Sequence, residues 1–344
     1  MEQSVLQAPL VSVIIVNWNG RHLLGECLDS LLAQSFTDFE VIVVDNGSQD
    51  GSAEFVRTHY PAVKLIRLPE NTGFAGGNNE GIRVARGKYV ALLNNDTRTD
   101  PEWLACLSRE AEANPASGMW ASKILSYDQP DIIDNVGLLL YRDGLARGQG
   151  RLERDHGQYD VGREALFPSG CAALYRRRML DEVGLFDEDF FAYADDVDLG
   201  LRARLAGWGC TYVPAAKVYH RYSSSSSTYS PLKAYLVERN RIWVLLKYYP
   251  AELIAASFFF TLKRFLLQFY GAVSGRGASA RFSEENGFFY AVAILLKAWC
   301  SALTALPRIN GWRRWYRRRR IGRRELYRLF REFGISASEL ALKD

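Results

Sequence analysis

Along the first 100 residues the apolar positions switch repeatedly between short unbroken runs and helical spacing. "VSVIIV" (11–16) is a β-branched run bounded by polar residues, the pattern of a strand buried on both faces. The stretch 21–34 then sets Leu24, Leu28, Leu31 and Leu32 at helical spacing, and "EVIVVD" (40–45) reads as a second buried strand. A helix near Gly51 to Tyr60 follows, then a strand "VKLIRL" (63–68), a helix from about Gly76 to Ala85, and a strand "KYVALLN" (88–94). Four strands with helical crossovers predict an open, mostly parallel α/β sheet with flanking helices.

The pattern loosens after that. Short apolar runs such as "MWASKIL" and "VGLLL" alternate with charged, glycine-rich loops over 120–170, predicting smaller strands and a lid. "SGCAALYRRRMLDEVGLF" (169–186) reads as a strand leading into a helix, and Val197, Leu201 and Leu205, with Gly207 as a stop, mark a helix beginning near Asp195. "TYVPAAKVYH" returns as extended chain ending at His220, and the serine run 223–227 reads as a flexible connector. Beyond Pro231 come an amphipathic stretch (235–250) and two strongly apolar ones (251–273 and 287–307), interrupted by Lys263–Arg264 and by Lys297. Neither offers 18 uncharged apolar residues, so they predict helices lying in a membrane surface or packed on the body, with a spanning pair as the alternative.

Composition and charge sharpen this division. A chain of 344 residues, 48% of them apolar, exceeds the usual length of one domain. The boundaries expected are an α/β unit over 9–230 and a helical, membrane-associating unit over 231–344. The net charge of +4 conceals an asymmetry: from Pro307 onward there are 12 Lys+Arg against 4 Asp+Glu, so residues 1–306 hold 31 basic and 35 acidic groups. Trp312, Trp315 and Tyr316 lie among those arginines, a combination that suits an anionic membrane surface better than nucleic acid. The five scattered cysteines include no CxxC pair, which fits a reduced, cytosolic compartment. The first 20 residues lack the basic n-region and long apolar core of a signal peptide.

Candidate chemistry clusters where such a sheet binds ligands, at the carboxyl ends of the strands. "NWNG", "DNGSQDGS", "PENTGFAGGNNEG" and "NNDTRTD" follow strands one to four in turn. Any α/β protein puts such residues in turns, but four such loops on one edge favour a polar ligand. Asp96 is at this level either a turn acid or a ligand for a hard cation, while Asp100-Pro101-Glu102 reads as a helix start. Asp195, Asp196 and Asp198 are either capping acids favoured by the helix dipole or a set containing a base tuned by the neighbouring "FFAYA". His220 is either structural or a metal or phosphate contact. Neither GxGxxG nor GxxxxGK[ST] occurs, nor HExxH, GxSxG or a zinc-ligand spacing.

The ordered set "VSVIIVNWNG", "VIVVDNGSQDGS", "NTGFAGGNNEGI", "YVALLNNDTRTDPEWL", "SGCAALYRRRML" and "FDEDFFAYADDVDLGLRARLAGW" resembles the family 2 glycosyltransferases, inverting enzymes of the Rossmann-like GT-A fold. The likeness covers about residues 9 to 250 and is nearest to the bacterial rhamnosyltransferase-like branch. It implies Asp45 as the contact to the nucleotide base, with Asn17, Asn46, Asn71, Asn78 and Asn95 in the donor pocket. It implies Asp96 as the remaining carboxylate of a DxD metal motif, where Asn94 replaces the first acid, and His220 as a late metal and diphosphate contact. Asp196 matches the catalytic base, with Asp195 in place of the usual Glu, and Asp195, Ser169 and Gly170 as supporting or acceptor-side groups.

The resemblance therefore implies a Mg2+- or Mn2+-dependent inverting transferase. Its donor would be a nucleotide-diphosphate sugar, with dTDP-rhamnose as the branch's suggestion. Its acceptor would be a lipid-linked or polysaccharide hydroxyl; the apolar helices and the Arg-rich tail add the expectation that the protein is held peripherally at the cytoplasmic membrane face. The alternatives are a nucleotidyltransferase of similar fold, or a protein that binds nucleic acid or another anionic surface through its Arg-rich tail.

Overall fold

The computed structural model describes residues 8–221, 230–274, 288–309, 311 and 323–343. The serine run 223–227 and the segment carrying Trp312, Trp315 and Tyr316 lie outside them. The four expected strands form as β1 (Val11–Asn17), β2 (Phe39–Asn46), β3 (Lys64–Leu68) and β4 (Tyr89–Leu93). Between them run α1 (Arg21–Leu32), α2 (Ser52–His59) and α3 (Gly73–Val84), and all four strands are parallel.

Their unbroken apolar runs have a simple cause, since both faces of the sheet are covered. Val11, Val13 and Ile15 of β1 face one core with Val41 and Val43 of β2, while Ile14, Ile42 and Val44 face the other. Alternate side chains point to opposite faces of a strand, so two buried faces favour apolar residues throughout. The buried Ser12 of β1 is accommodated by its bond to Glu40 Oε1 (2.7 Å), and the edge strand β3 keeps Lys64 and Arg67 exposed.

Next come β5 (Thr97–Thr99), α4 (Trp103–Ala113) and β6 (Ser117–Ser126). Helix α4 starts later than Asp100-Pro101-Glu102 suggested, because Asp100 Oδ1 accepts from Glu102 N (3.0 Å) and caps the turn before the helix. The irregular middle holds β7 (Ile133–Asn135), β8 (Leu138–Leu140), β9 (Ala146–Gly148) and β10 (Arg163–Glu164). After it come β11 (Ala172–Arg176), α5 (Arg177–Val183), α6 (Asp195–Leu205) and β12 (Gly209–His220). Among the described residues the main sheet runs β10-β12-β6-β11-β4-β1-β2-β3. It is mixed, because β11 runs antiparallel to both β4 and β6.

The C-terminal unit comprises α7 (Pro231–Tyr248), α8 (Ala251–Ser274), α9 (Phe288–Thr304), α10 (Arg323–Glu332) and α11 (Ala337–Leu342). It is fastened to the α/β layers. Lys247 of α7 reaches Asp198 at 2.7 Å and Asp187 at 2.5 Å, and Leu140 of β8 donates its N–H to Phe333 O at 3.0 Å.

Candidate active site

The parallel strands end together, with Asn17 in register with Asp45, and this edge borders a cleft of about 590 Å3. Asn46, Asn71, Asn95, Ser169, Gly170, Asp195, Asp196 and His220 line it, as does Asn94. Asn17, Asp45, Asn78 and Asp96 sit just behind this lining, all nearly fully buried.

On the asparagine side the amides hold the loops in place. Asn95 Nδ2 donates to Asn17 Oδ1 at 2.7 Å, joining the ends of β4 and β1. Gly20 crosses above this pair, where a Cβ would lie 2.3 Å from Asn95 Nδ2, so only glycine fits. Asn46 Nδ2 donates to Asn71 Oδ1 (3.1 Å) and Gly73 O (2.9 Å), and its Oδ1 accepts from Thr72 N at 2.9 Å. Asn78 is turned inward, donating to Phe74 O at 2.9 Å within α3. Asp45 keeps one buried oxygen, Oδ1, without a hydrogen-bond partner, while Oδ2 lies 3.7 Å from Arg67 Nε. An ionic group so placed calls for a donor from outside the chain.

At the far end of β4, Asp96 Oδ1 is likewise buried without a hydrogen bond, and the closest cationic group is His220 Nε2 at 3.4 Å. β5 and β12 bring the two together, pairing Thr97 with His220. His220 Nδ1 hydrogen-bonds Asp134 Oδ2 at 2.7 Å, and Arg151 holds the other Asp134 oxygen at 2.5 Å. Sequence reading missed Asp134. Nothing in "DIIDNVG" marks it, and its partner is 86 residues away. Burial works against a charged His220, while the carboxylates of Asp134 and Asp96 favour it and hold its pKa above the ordinary histidine value; a cation at Asp96 would displace that proton, since only the neutral ring is a ligand. Burial also pushes up the Cys171 thiol, so this cleft-lining cysteine is a poor nucleophile.

Among the described residues, no three His, Cys, Asp or Glu side chains gather as a complete metal cage. The Asp96–His220 pair instead fits a cation that takes its other ligands from phosphate and water, as Mg2+ and Mn2+ commonly do with nucleotides. The orphaned Asp96 oxygen is the observation that supports this fit.

The N-terminus of α6 also lines the cleft. Asp196 Oδ2 accepts from Gly170 N (3.1 Å), and its Oδ1 accepts from Val197 N (2.8 Å). Burial raises the Asp196 pKa against the lowering effect of those two N–H groups. Asp195 is raised further, by burial and then by the charge of Asp196, and its Oδ2 is buried without a partner. Asp196, with the two N–H donors, is the member of the pair that ionises first. Asp198 turns away from the cleft into a buried cluster with Arg202 (2.9 Å) and Lys247 (2.7 Å), so the three acids divide into a cleft pair and a structural anchor.

The chain entering α6 is strained. Phe191, Tyr193 and Ala194 all have positive φ (65°, 68° and 58°), a region non-glycine residues rarely occupy outside functional sites. Asn240 of α7 holds this stretch, its Nδ2 lying within donor distance of Phe190 O (3.0 Å), Ala192 O (2.8 Å) and Tyr193 O (2.7 Å). Asn240 is fully buried, and the sequence reading missed it too, because it sits in a stretch legible only as an amphipathic helix.

Residues 12–184 match the family model described as glycosyl transferase family 2. The N-acetylglucosaminyl-diphospho-decaprenol L-rhamnosyltransferase of Mycobacterium tuberculosis is 28% identical over 242 residues, covering 63% of this chain and 78% of that protein. The chain spans about a quarter of the length of a 29%-identical Sinorhizobium fredii relative and 59% of that of a 30%-identical glycosyltransferase of Rickettsia prowazekii. Two solved structures share the fold. One is GalNAc-T7 with UDP, GalNAc and Mn2+ (TM-score 0.58, 16% identity, 72% of this chain and 49% of that one). The other is the mannosyltransferase of Pyrobaculum calidifontis with GDP-Man and Mn2+ (TM-score 0.53, 18% identity, 90% of this chain and 85% of that one).

Proposed function

Because this chain belongs to glycosyl transferase family 2, we propose that it transfers a sugar with inversion from a nucleotide-diphosphate donor to a hydroxyl of a lipid-linked or polysaccharide acceptor. It works peripherally at the cytoplasmic face of a membrane, and rhamnose from dTDP-rhamnose is the first donor to test. The single observation that carries the catalytic reading is Asp196, a half-buried carboxylate with a raised pKa, held by two backbone N–H groups at the cleft that His220 also lines.

Asp45 accepts from the nucleotide base, which satisfies its orphaned oxygen, and Asn17, Asn46, Asn71, Asn78 and Asn95 shape the donor pocket. Asp96 and the neutral ring of His220 would hold Mg2+ or Mn2+, with phosphate and water as the remaining ligands. A divalent ion there would offset the charge that builds on the departing diphosphate. Asp134 fixes the His220 ring so that Nε2 faces Asp96, as an outer carboxylate does for a metal-binding histidine. Asp196 takes the proton of the acceptor hydroxyl as its oxygen attacks the sugar carbon from the face opposite the diphosphate, so one displacement inverts the centre. Asp195, Ser169 and Gly170 support the base, with Gly170 N holding its oxygen.

The reading is tested by thermal shift with a panel of nucleotide sugars in the presence of Mg2+ or Mn2+. Binding at a hundredfold excess over Kd stabilises the fold by about 2.7 kcal/mol. One nucleotide class should raise Tm in a metal-dependent way, and no shift with any donor would contradict the proposal.

A further inference from the structure

Helix α8 has its polarity reversed. Its inner side carries Ser257, Thr261, Arg264 and Gly271, all buried, whereas Phe258, Phe259, Leu262, Leu266, Phe269, Tyr270 and Val273 are exposed on the other side. An ordinary surface helix does the opposite.

The inner polar side is anchored in the catalytic body. Arg264 Nε donates to Asp143 Oδ2 at 2.7 Å and its Nη2 to Glu238 Oε2 at 3.0 Å, with Arg241 in the same buried cluster. Asp143 lies between β8 and β9, beside the cleft-lining Gly144 and Leu145. Helix α9 joins the same cluster through Trp299 Nε1, 3.1 Å from Glu238 Oε1, and stacks Trp299 on Phe265. Its own outer side exposes Phe289, Val292, Leu296 and Leu303.

Length and hydropathy alone would let α8 cross a bilayer. The anchoring argues against that, because the side from Ser257 to Gly271 covers about 21 Å of helix at 1.5 Å per residue and packs on the protein, with Arg264 among buried carboxylates and Phe260 and Leu267 against the core. Charge selects the occupant of the other side. No acidic residue occurs in 253–274 or 288–304, while Lys263 and Lys297 are exposed there.

We infer that the joint outer face of α8 and α9 is a one-sided seat for an anionic lipid bilayer, with α8 lying in the plane of the interface and its aromatic side chains among the acyl chains. This deepens the membrane reading above and rests on it. Helix α7 lines the cleft with Leu232, Leu236 and Val237 and meets α9 through Tyr235–Ser301 (2.8 Å), so α7 stands between the cleft and α9.

The test uses the full chain and sedimentation with vesicles of phosphatidylcholine, with or without phosphatidylglycerol. Binding should be at least tenfold tighter with the anionic lipid. The double variant Phe259→Glu, Leu266→Glu should lose at least tenfold of it while keeping the donor-induced Tm shift. Undiminished binding by that variant would overturn the inference, as would conversion of a dimer to a monomer with vesicle binding unchanged. Introduced cysteines Glu252→Cys and Ser274→Cys, in a Cys300→Ser background, should both react with an impermeant maleimide outside the vesicles. Protection of one end only would mean that α8 spans. A failed donor screen with intact vesicle binding would count against the transferase reading alone.

Discussion

Replacing Arg264 with methionine removes one of two cations from the cluster that joins α8 to the cleft wall. In the native protein Asp143 and Glu238 are matched by Arg241 and Arg264, and all four are buried. Burial tends to raise the Glu238 pKa, but Arg241 and then Arg264 outweigh it and hold it at about 2 instead of 4.5. That gap corresponds to about 3 kcal/mol of stabilisation at neutral pH. With Arg264 gone, two buried carboxylates share Arg241, and breaking a buried pair in this way costs about 3–5 kcal/mol. The variant should therefore lose about 3 kcal/mol at pH 7 in urea unfolding, seen as a lower midpoint with an unchanged slope. The sign with pH follows from the depressed pKa. Glu238 contributes fully above pH 4.5 and its contribution disappears as pH falls toward 2, so the difference from the native chain should narrow over that window. Arg264→Lys, which keeps the charge, should lose less. A loss under about 1 kcal/mol at pH 7, or an equal loss at pH 7 and pH 3, would refute the reasoning.

Other consequences follow from the cleft. Asp134→Asn should raise the Mn2+ concentration for half-maximal activity by about 10- to 100-fold and also lower urea stability, since it removes the buried partner of His220 and Arg151; in the folded variant, an unchanged metal requirement would mean that Asp134 does not position His220. Asn240→Ala should lower kcat more than it raises the donor KM, because it frees the strained residues 190–194 that aim Asp196; equal kinetics to the native chain would remove that role. Gly73→Ala should cost at least about 1–2 kcal/mol in unfolding, since φ is +76° there and a Cβ would fall 2.2 Å from Phe191 O. In kcat/KM against pH, the acidic limb should lie above the ordinary aspartate value of about 3.9, because burial raises Asp196 and only its ionised form accepts a proton. A limb at or below that value would point to another base.

Much of the catalytic layer was legible because its information is local. The buried strands announce themselves as unbroken apolar runs, and the polar loops follow from where those runs stop. The start of α6 at Asp195 matched the expected position, since Val197, Leu201 and Leu205 carry its period. Asp134 and Asn240 were invisible, because each acts through a partner 47 to 86 residues away and leaves no periodicity of its own. Asp198 looked equivalent to Asp195 and Asp196 until Lys247 of α7 was placed beside it. The apolar stretch 251–273 concealed the reversed polarity of α8 for the same reason, since the acids that receive Arg264 lie in other elements.

The central claim is that Asp196 accepts the proton of an acceptor hydroxyl while a donor sits on the asparagine-rich side of the cleft. It is tested most directly by comparing native and Asp196→Asn proteins with the same donor, Mn2+ and acceptor, measuring sugar transfer and donor binding in parallel. The account predicts that transfer falls by about 10²- to 10⁴-fold while donor binding stays within a few-fold of native. A folded Asp196→Asn protein that transfers sugar at near the native rate would contradict it.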